Sequence, residues 1–347
     1  MKQVQDSFIK RIGSYPLFSP IAALLLLLII SSIVNPTFLR ITWVDGHLSG
    51  SLIDVLNRAA PLMLVSIGMM LVIAARGLDI SVGAIVAITA AVAALITGGS
   101  YAASHSGLST LFIAVLGALV TAALCGLWNG LLVVKTGMQP IIATLILMVA
   151  GRGIAQLITD GQIITIYYAP YFYIGNGFLL GIPFALIVAI VTATALHLLL
   201  TRTALGLFIR AIGLNPIAAH VAGVRSRMIT LCLYVFCGFT AGLAGLIISS
   251  NVKSADGNNA GQLMELDAIL AVTLGGTALT GGRFTVVGTV IGALIIQTLT
   301  SMIYSSGLPP QVNLAVKAVL VFAVMLLQSA DFRSTMRTVF FKSGAPT

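Results

Sequence analysis

Charged residues are scarce in this chain: they make up only 8% of its 347 residues, and only nine residues are acidic. A typical soluble domain has about a quarter of its residues charged. Hydrophobic residues reach 59% and the mean hydropathy is +1.09. This composition excludes an ordinary soluble domain and predicts an all-α polytopic membrane protein.

Motifs for catalysis and metal binding are also missing. The chain has no G-x-x-x-x-G-K-[ST] phosphate loop, no H-E-x-x-H, and no plausible Ser/His/Asp set among its four scattered histidines. The three cysteines, Cys125, Cys232 and Cys237, fall inside predicted helices without ligand-like spacing, so we interpret them as packing residues. We therefore predict that this chain is not an enzyme and holds no metal or cofactor.

Apolar runs near the length of a bilayer-crossing helix, about 20 residues, recur along the chain. The first follows a basic amino terminus and has no cleavage site after it, which favours an uncleaved span over a signal peptide. The eighth is short and interrupted by Gly275-Gly276, so it is a candidate for a re-entrant or partial crossing. About ten spans are predicted, at residues 17–34, 59–75, 79–97, 109–134, 140–158, 179–200, 228–250, 266–279, 286–304 and 312–328.

The basic residues give this topology an orientation. With residue 1 in the cytoplasm and ten spans, most lysines and arginines fall in cytoplasmic segments, and the opposite face keeps Arg40 and Lys253. This is the asymmetry of the positive-inside rule, and it places both termini in the cytoplasm. It also explains the net charge of +9 without nucleic-acid binding.

Small residues at helical spacing predict how the spans pack. Pairs four residues apart, as in G-x-x-x-G, let helix backbones approach closely inside a bilayer. Within the predicted spans, such pairs include Gly126/Gly130, Gly238/Gly242, Ala241/Gly245 and Gly288/Gly292. Segments 77–83 and 282–288 share equal glycine spacing before a helix, which suggests an internal repeat.

The most distinctive segment is Thr203–Ser226, which lies between bilayer-length runs and is cytoplasmic in this topology. Its pattern predicts a helix that stops at Gly213, a second helix with Asn215 as N-cap and Pro216 as first residue, and a left-handed stop at Gly223. It is only moderately apolar, whereas a helix lying in the membrane plane has a large apolar face. We expect its small side chains to dock into a cleft of another protein.

Few ionisable groups fall near the spans. Asp79 lies at a predicted helix start, where it can act as a cap or dipole partner, and Glu265 and Asp267 precede the eighth run. Arg152 alone falls well inside a run. It is either a charge of the pathway or an interface, or a snorkelling or paired arginine near a helix end.

An ordered set of motifs resembles a known family over residues 50–330. Its members are Asn57-Arg58-Ala59-Ala60-Pro61, Gly77-Leu78-Asp79-Ile80-Ser81-Val82-Gly83, Arg210-Ala211-Ile212-Gly213, Ala222-Gly223-Val224, Leu266-Asp267-Ala268-Ile269-Leu270 and Gly281-Gly282-Arg283. The chain resembles the permease subunit of bacterial ATP-binding-cassette (ABC) sugar importers, in the ribose, xylose, galactose and galactofuranose branch. The galactofuranose permeases are most similar, through Asn57–Pro61, segment 143–153 and Asn258-Asn259-Ala260-Gly261. One departure is Arg76, where the family often has a second glycine.

The resemblance implies a multi-pass protein of the bacterial inner membrane whose 347 residues form a single permease domain. Two permeases, a second copy or a paralogue, would form the pathway. A separate ATPase subunit would bind ATP and Mg, and a periplasmic sugar-binding protein would deliver the sugar. The cytoplasmic segment, about 201–227, would couple to the ATPase through Gly206, Arg210, Ala211, Gly213, Asn215, Ala218, Ala219 and Gly223; Arg210 could instead be only a positive-inside anchor.

Sugar-pathway candidates are polar or aromatic residues within the spans: Asn57, Asn129, Trp128, Gln156 and Gln297. The alternative is that most of them form hydrogen bonds between helices. The periplasmic loop, about 251–265, is predicted to contact the binding protein through Asp256, Asn258 and Asn259, or to be a solvated turn. An ion-coupled secondary transporter and a branched-chain amino-acid-type ABC permease are the alternative functions.

Overall fold

The computed structural model describes residues 17–44, 46–98, 107–307 and 309–328. Helices dominate these ranges, and we number them in chain order. They are α1 (Phe18–Val34), α2 (Ser51–Ala74), α3 (Val82–Thr97), α4 (Leu108–Val134), α5 (Pro140–Ile158), α6 (Ala169–Asn176), α7 (Phe184–Arg202), α8 (Leu205–Leu214), α9 (Pro216–Val221), α10 (Ser226–Val252), α11 (Met264–Leu274), α12 (Val286–Ser305) and α13 (Pro310–Gln328).

Three short antiparallel strand pairs lie in the connections between helices. They are β1 (Thr42–Val44) with β2 (His47–Ser49), β3 (Ile164–Thr165) with β6 (Ser254–Ala255), and β4 (Phe178–Leu179) with β5 (Ile182–Pro183). The β3–β6 pair joins segments that are far apart in sequence, with Ile164 opposite Ala255. It fastens the chain beyond the end of α10 to the chain beyond the end of α5.

Each of the ten predicted apolar runs coincides with a helix. Six helices, α2, α4, α5, α7, α10 and α12, are long and apolar enough to cross a membrane. The predicted bounds needed correction at several ends: α2 begins at Ser51 rather than at 59, because Asp54, Asn57 and Arg58 interrupt the apolar residues of its first turns. The eighth run ends as a helix at Leu274, since Gly276 has a φ of +84° and turns the chain.

The chain forms two compact units, residues 1–298 and 299–347. In the first unit α10 packs against α2, α3, α4 and α6, and α2 also contacts α7 and α11. Every residue of α2 from Ala59 to Ala74 is buried. Helix α2 is therefore a central element, whereas α4, α5 and α7 present mostly apolar side chains outward. In the second unit the main helix is α13.

The predicted small-residue pairs mediate helix packing. A Cβ at Gly238 would lie 2.9 Å from Cα of Gly126, so α4 and α10 approach backbone to backbone. A Cβ at Gly245 would lie 2.7 Å from the carbonyl oxygen of Val86, and one at Gly292 would lie 2.8 Å from the carbonyl carbon of Ala271. These contacts confirm the packing role of the small residues, which a larger side chain would prevent.

Candidate functional site

The segment between α7 and α10 has the helix, break and helix that the sequence predicts. The Asn215 side chain accepts hydrogen bonds of 3.0 Å from the backbone N–H groups of Ile217 and Ala218, and Pro216 opens α9. Gly223 has a φ of +86°, which confirms the left-handed stop. Gly213 does not end the first helix: α8 continues to Leu214, because the chain becomes extended only at Asn215.

We call residues 205–223 the coupling segment, and its two faces differ. Gly206, Gly213 and Ala219 are buried within this chain, while Arg210, Asn215, Ala218 and Gly223 are exposed and Ala211 is half-buried. We expected the small residues to face a partner. Gly206 and Gly213 instead pack against this chain's own backbone, which a Cβ at either would overlap.

Apolar side chains occupy the outer face of the coupling segment instead. Leu214, Ile217 and Val221 are 65%, 78% and 83% exposed. Three large apolar residues so exposed within eight positions of a predicted cytoplasmic segment favour contact with another molecule. We call these three residues the apolar strip.

Gly213 fixes where the coupling segment sits. A Cβ there would overlap the carbonyl oxygen of Ala74 and would lie 2.8 Å from Cα of Gly282. The backbone N–H of Gly282 donates to that same Ala74 oxygen at 2.9 Å. Three chain segments, the end of α8, the end of α2 and the link between α11 and α12, therefore meet without intervening side chains.

Arg76 joins this contact from the link between α2 and α3. Its Nε donates to the carbonyl oxygen of Gly213 at 2.7 Å and its Nη2 to that of Leu214 at 2.6 Å. These carbonyls end α8, where the helix dipole favours a positive charge. The backbone of Arg76 is left-handed, with a φ of +65°. The residue that departs from the family pattern is thus a clamp on the coupling segment, which sequence reasoning missed.

Arg210 makes a contact within this chain that the sequence did not predict. Its Cζ lies 5.4 Å from the centroid of the Phe284 ring, within the range of a cation–π interaction. Phe284 itself is buried. Arg210 is nevertheless exposed, so its guanidinium stays accessible beside the apolar strip.

The predicted sugar-pathway residues do not form one cluster. Asn129 is buried and donates to Oγ of Ser81 at 2.7 Å and to Oδ1 of Asp79 at 3.3 Å, so it links α4 to the start of α3. This is the helix-to-helix role that we left open. Trp128 is 53% exposed on the outer face of α4. Gln297 is half-buried on α12.

Gln156 belongs instead with the loop of residues 256–263. Its Nε2 donates to Oδ1 of Asn258, and Arg152 donates from Nη1 to the carbonyl oxygens of Asn258, at 3.2 Å, and Ala260. Glu265 is buried beside Gly83 and interacts electrostatically with Arg152. Arg152 is therefore a paired arginine that holds this loop, one of the two alternatives its position allowed.

Asp256 organises the loop from within. Its Oδ1 accepts hydrogen bonds from the backbone N–H groups of Asn258 at 2.8 Å and Asn259 at 3.2 Å, and its Oδ2 accepts one from Nδ2 of Asn259 at 2.7 Å. Slight burial opposes ionisation, but these bonds and the charge of Arg152 outweigh it and lower the pKa of Asp256. Asn258 and Asn259 are exposed at the loop tip.

The six helices long and apolar enough to cross a membrane define the class, a polytopic membrane protein. Residues 51–327 match the family model described as branched-chain amino acid transport system / permease component, and the chain belongs to this family. No solved structure matches the chain.

Individual relatives are permeases of sugar transporters. The chain is 48% identical over 331 residues to the galactofuranose transporter permease protein of Escherichia coli, covering 95% of each chain. It is 37% identical to the ribose import permease protein of Bacillus subtilis, over 89% of this chain and 91% of the relative. It is 35% identical to the fructose import permease protein of Bifidobacterium longum, over 93% and 90%.

Proposed function

We propose that this chain is the transmembrane subunit of an ATP-driven importer and forms the pathway for a monosaccharide, galactofuranose or a similar pentose or hexose, across the bacterial inner membrane. Its similarity to sugar permeases over nearly the whole chain supports the substrate class. The chain is a transport component in this scheme, and ATP and Mg belong to a separate ATPase subunit.

The observation that carries the proposal is the apolar strip on a firmly seated coupling segment. Leu214, Ile217 and Val221 are exposed, and the backbone beneath them is held by Arg76 and by the close contact at Gly213. A rigid apolar surface beside the exposed Arg210 suits docking against another protein, with Arg210 able to donate charge-assisted hydrogen bonds. Closure of the ATPase would then move the segment as a body.

The topology completes the proposal. About ten spans with both termini in the cytoplasm put the coupling segment inside and the loop of residues 251–265 in the periplasm. There Asp256, Asn258 and Asn259 would meet the sugar-binding protein. The whole chain would act as one permease domain, paired in the complex with a second permease, which we expect to be a paralogue.

Co-purification from mild detergent tests this function. The chain is co-expressed with candidate ATPase and sugar-binding subunits and is used as bait. We expect the parent to retain the ATPase, and Ile217→Glu or Arg210→Glu to lose it. Ile217→Glu adds a charge to the apolar strip without touching the buried side, so folding is preserved.

Tyr167→Glu is the matched control, because Tyr167 is 83% exposed in the connection before α6, at the other end of α10. It should retain the ATPase. If the parent captures no ATPase and mediates no ATP-dependent sugar uptake in proteoliposomes, the importer function is wrong. Equal loss in Ile217→Glu and Tyr167→Glu would contradict the role of the coupling segment.

A further inference from the structure

A polar recess lies at the opposite end of α2 from the coupling segment. It is lined by Asp54, Asn57 and Arg58 of α2, Asn176 at the end of α6, and Asn251 near the end of α10, and it encloses about 340 Å³. We propose that this recess is a monosaccharide-binding site at the outer mouth of the pathway. This inference rests on the proposed function and assigns residues to it.

The polarity of the recess shows that lipid does not cover it. A carboxylate, a guanidinium and three amides line it, and such groups are costly when they face hydrocarbon. Within the described ranges, the side chains of Asp54 and Arg58 are exposed and make no hydrogen bond or ion pair. The recess therefore opens to water or to a polar ligand.

Two of its amides are held in place before any ligand binds. Nδ2 of Asn57 donates to the carbonyl oxygen of Gly175 at 3.3 Å, while its Oδ1 is buried and has no partner in the described structure. Nδ2 of Asn176 donates to the carbonyl oxygens of Ser250, at 3.1 Å, and Asn251, at 3.3 Å. Burying an acceptor without a partner is unfavourable, so the Oδ1 of Asn57, a residue that lines the recess, would be stabilised by a ligand donor that reaches it.

The mixture of groups matches a sugar better than an ion. Every sugar hydroxyl both donates and accepts, and the recess offers acceptors on Asp54 and Asn57 and donors on Arg58. One positive and one negative charge leave no net preference for an anion or a cation. The volume falls at the lower end of the roughly 300–1,000 Å³ usual for small-ligand sites, which suits a single sugar ring.

The position of the recess connects it to the energy-coupling end. Helix α2 runs unbroken from Ser51 to Ala74, and its last residue contacts Gly213 and Gly282. A movement of the coupling segment that shifts α2 would therefore also shift Asp54, Asn57 and Arg58 relative to Asn176 and Asn251. Such a shift would change the affinity of the recess during the transport cycle.

The test is ATP-dependent uptake of radiolabelled sugars by the complete complex in proteoliposomes. Galactofuranose, ribose and fructose are the probes. We expect Asn57→Ala and Asn251→Ala to lower the uptake rate about tenfold, while the ATPase and the binding protein still co-purify with the chain. Asp54→Asn keeps the shape of the side chain and should change the ratio of uptake rates among the three sugars. Gln162→Ala removes an exposed amide at the same end but outside the recess, and should transport normally.

The outcomes separate this inference from the proposed function. If the unmodified complex shows no ATP-dependent uptake of any probe, the proposed function fails first. If it transports and both alanine variants stay within twofold of it with unchanged sugar ratios, the recess is not a sugar site. If the variants lose the binding protein from the complex instead, the recess is a protein contact and the sugar assignment is overturned. Hydrogen exchange of α2 and α10, compared with that of Gln162→Ala, identifies an alanine variant that has failed to fold. In that case the ratio of uptake rates among the three sugars in Asp54→Asn decides whether the recess is a sugar site.

Discussion

At the scale of single residues, the strained backbone of Arg76 is compensated by the hydrogen bonds of its side chain. A left-handed backbone costs a non-glycine residue roughly 1–2 kcal/mol. Its two hydrogen bonds to the carbonyl oxygens of Gly213 and Leu214 offset about that much, since the side chain is partly in solvent and its charge is screened. The arginine therefore adds a specific attachment between α2 and α8 at little net change in stability.

The substitution Arg76→Gly tests this balance. Glycine accepts the left-handed backbone but removes both hydrogen bonds, so we expect the thermal unfolding midpoint in detergent to change by only a few degrees. Backbone hydrogen exchange across 213–222 should accelerate severalfold. Arg76→Lys, which retains the charge but not the two-pronged geometry, should fall between the two. Unchanged exchange in Arg76→Gly would show that the clamp does not hold the segment.

Two glycines of the coupling segment should respond oppositely to alanine. At Gly213 a Cβ overlaps backbone of Ala74 and Gly282, so Gly213→Ala should cost about 3 kcal/mol or more. At Gly223 the space is open and only the φ of +86° is strained, so Gly223→Ala should cost roughly 1 kcal/mol. Thermal or denaturant unfolding in detergent compares the two variants. Equal losses would contradict the close contact at Gly213.

At the scale of elements, the loop of residues 256–263 is a fastened unit. The β3–β6 pair closes its base, Asp256 organises its turn, and Arg152 binds two of its carbonyl oxygens. Irregular backbone is tolerated near a bilayer only when its polar groups are satisfied by protein or water. The loop thus presents Asn258 and Asn259 on a fixed frame.

Replacing Arg152 with glutamine should release this loop. The shorter, neutral side chain loses the contacts to Asn258 and Ala260 and leaves the buried Glu265 without its neighbouring positive charge. We expect faster hydrogen exchange at residues 256–263 and weaker association of the binding protein, with ATPase association retained. Arg40→Gln, at an exposed arginine outside both the loop and the coupling segment, is the control and should change neither. Loss of both partners would mean that Arg152 supports the whole bundle.

At the scale of the whole molecule, α2 connects the coupling segment with the polar recess. Its carboxyl end contacts the coupling segment, and its first turns line the polar recess. The residues between are buried throughout and the helix continues past its internal Pro61, so a displacement of one end can be carried to the other through packed contacts. The proposed topology requires these two ends to lie on opposite sides of the membrane.

Single-cysteine labelling tests that topology. In a background lacking Cys125, Cys232 and Cys237, Asn259→Cys should react with a membrane-impermeant maleimide from the outside of spheroplasts. Ile217→Cys should react only in inside-out vesicles. Both positions are exposed, so access depends on the side of the membrane. Labelling of both from the same side would overturn the predicted orientation.

Local features of this chain follow from its sequence alone. The ten apolar runs all contain helix. Hydrocarbon offers no hydrogen-bond partners, so the backbone N–H and C=O groups of a bilayer-length segment must bond to one another. The cap at Asn215, the stop at Gly223 and the interruption after Leu274 follow from the chemistry of Asn, Pro and Gly within a few residues. The family resemblance rests on the same short motifs.

Contacts between distant segments were decided only by the tertiary structure. Whether Gly213 faces a partner or Ala74, and whether Arg76 is an irregularity or a clamp, depends on residues about 140 positions apart. The recess likewise needs α2, α6 and α10 brought together. Sequence spacing specifies a helix face only relative to its own axis. The packing of the bundle determines what that face contacts, because the contacting residues come from distant parts of the chain that the local pattern does not include.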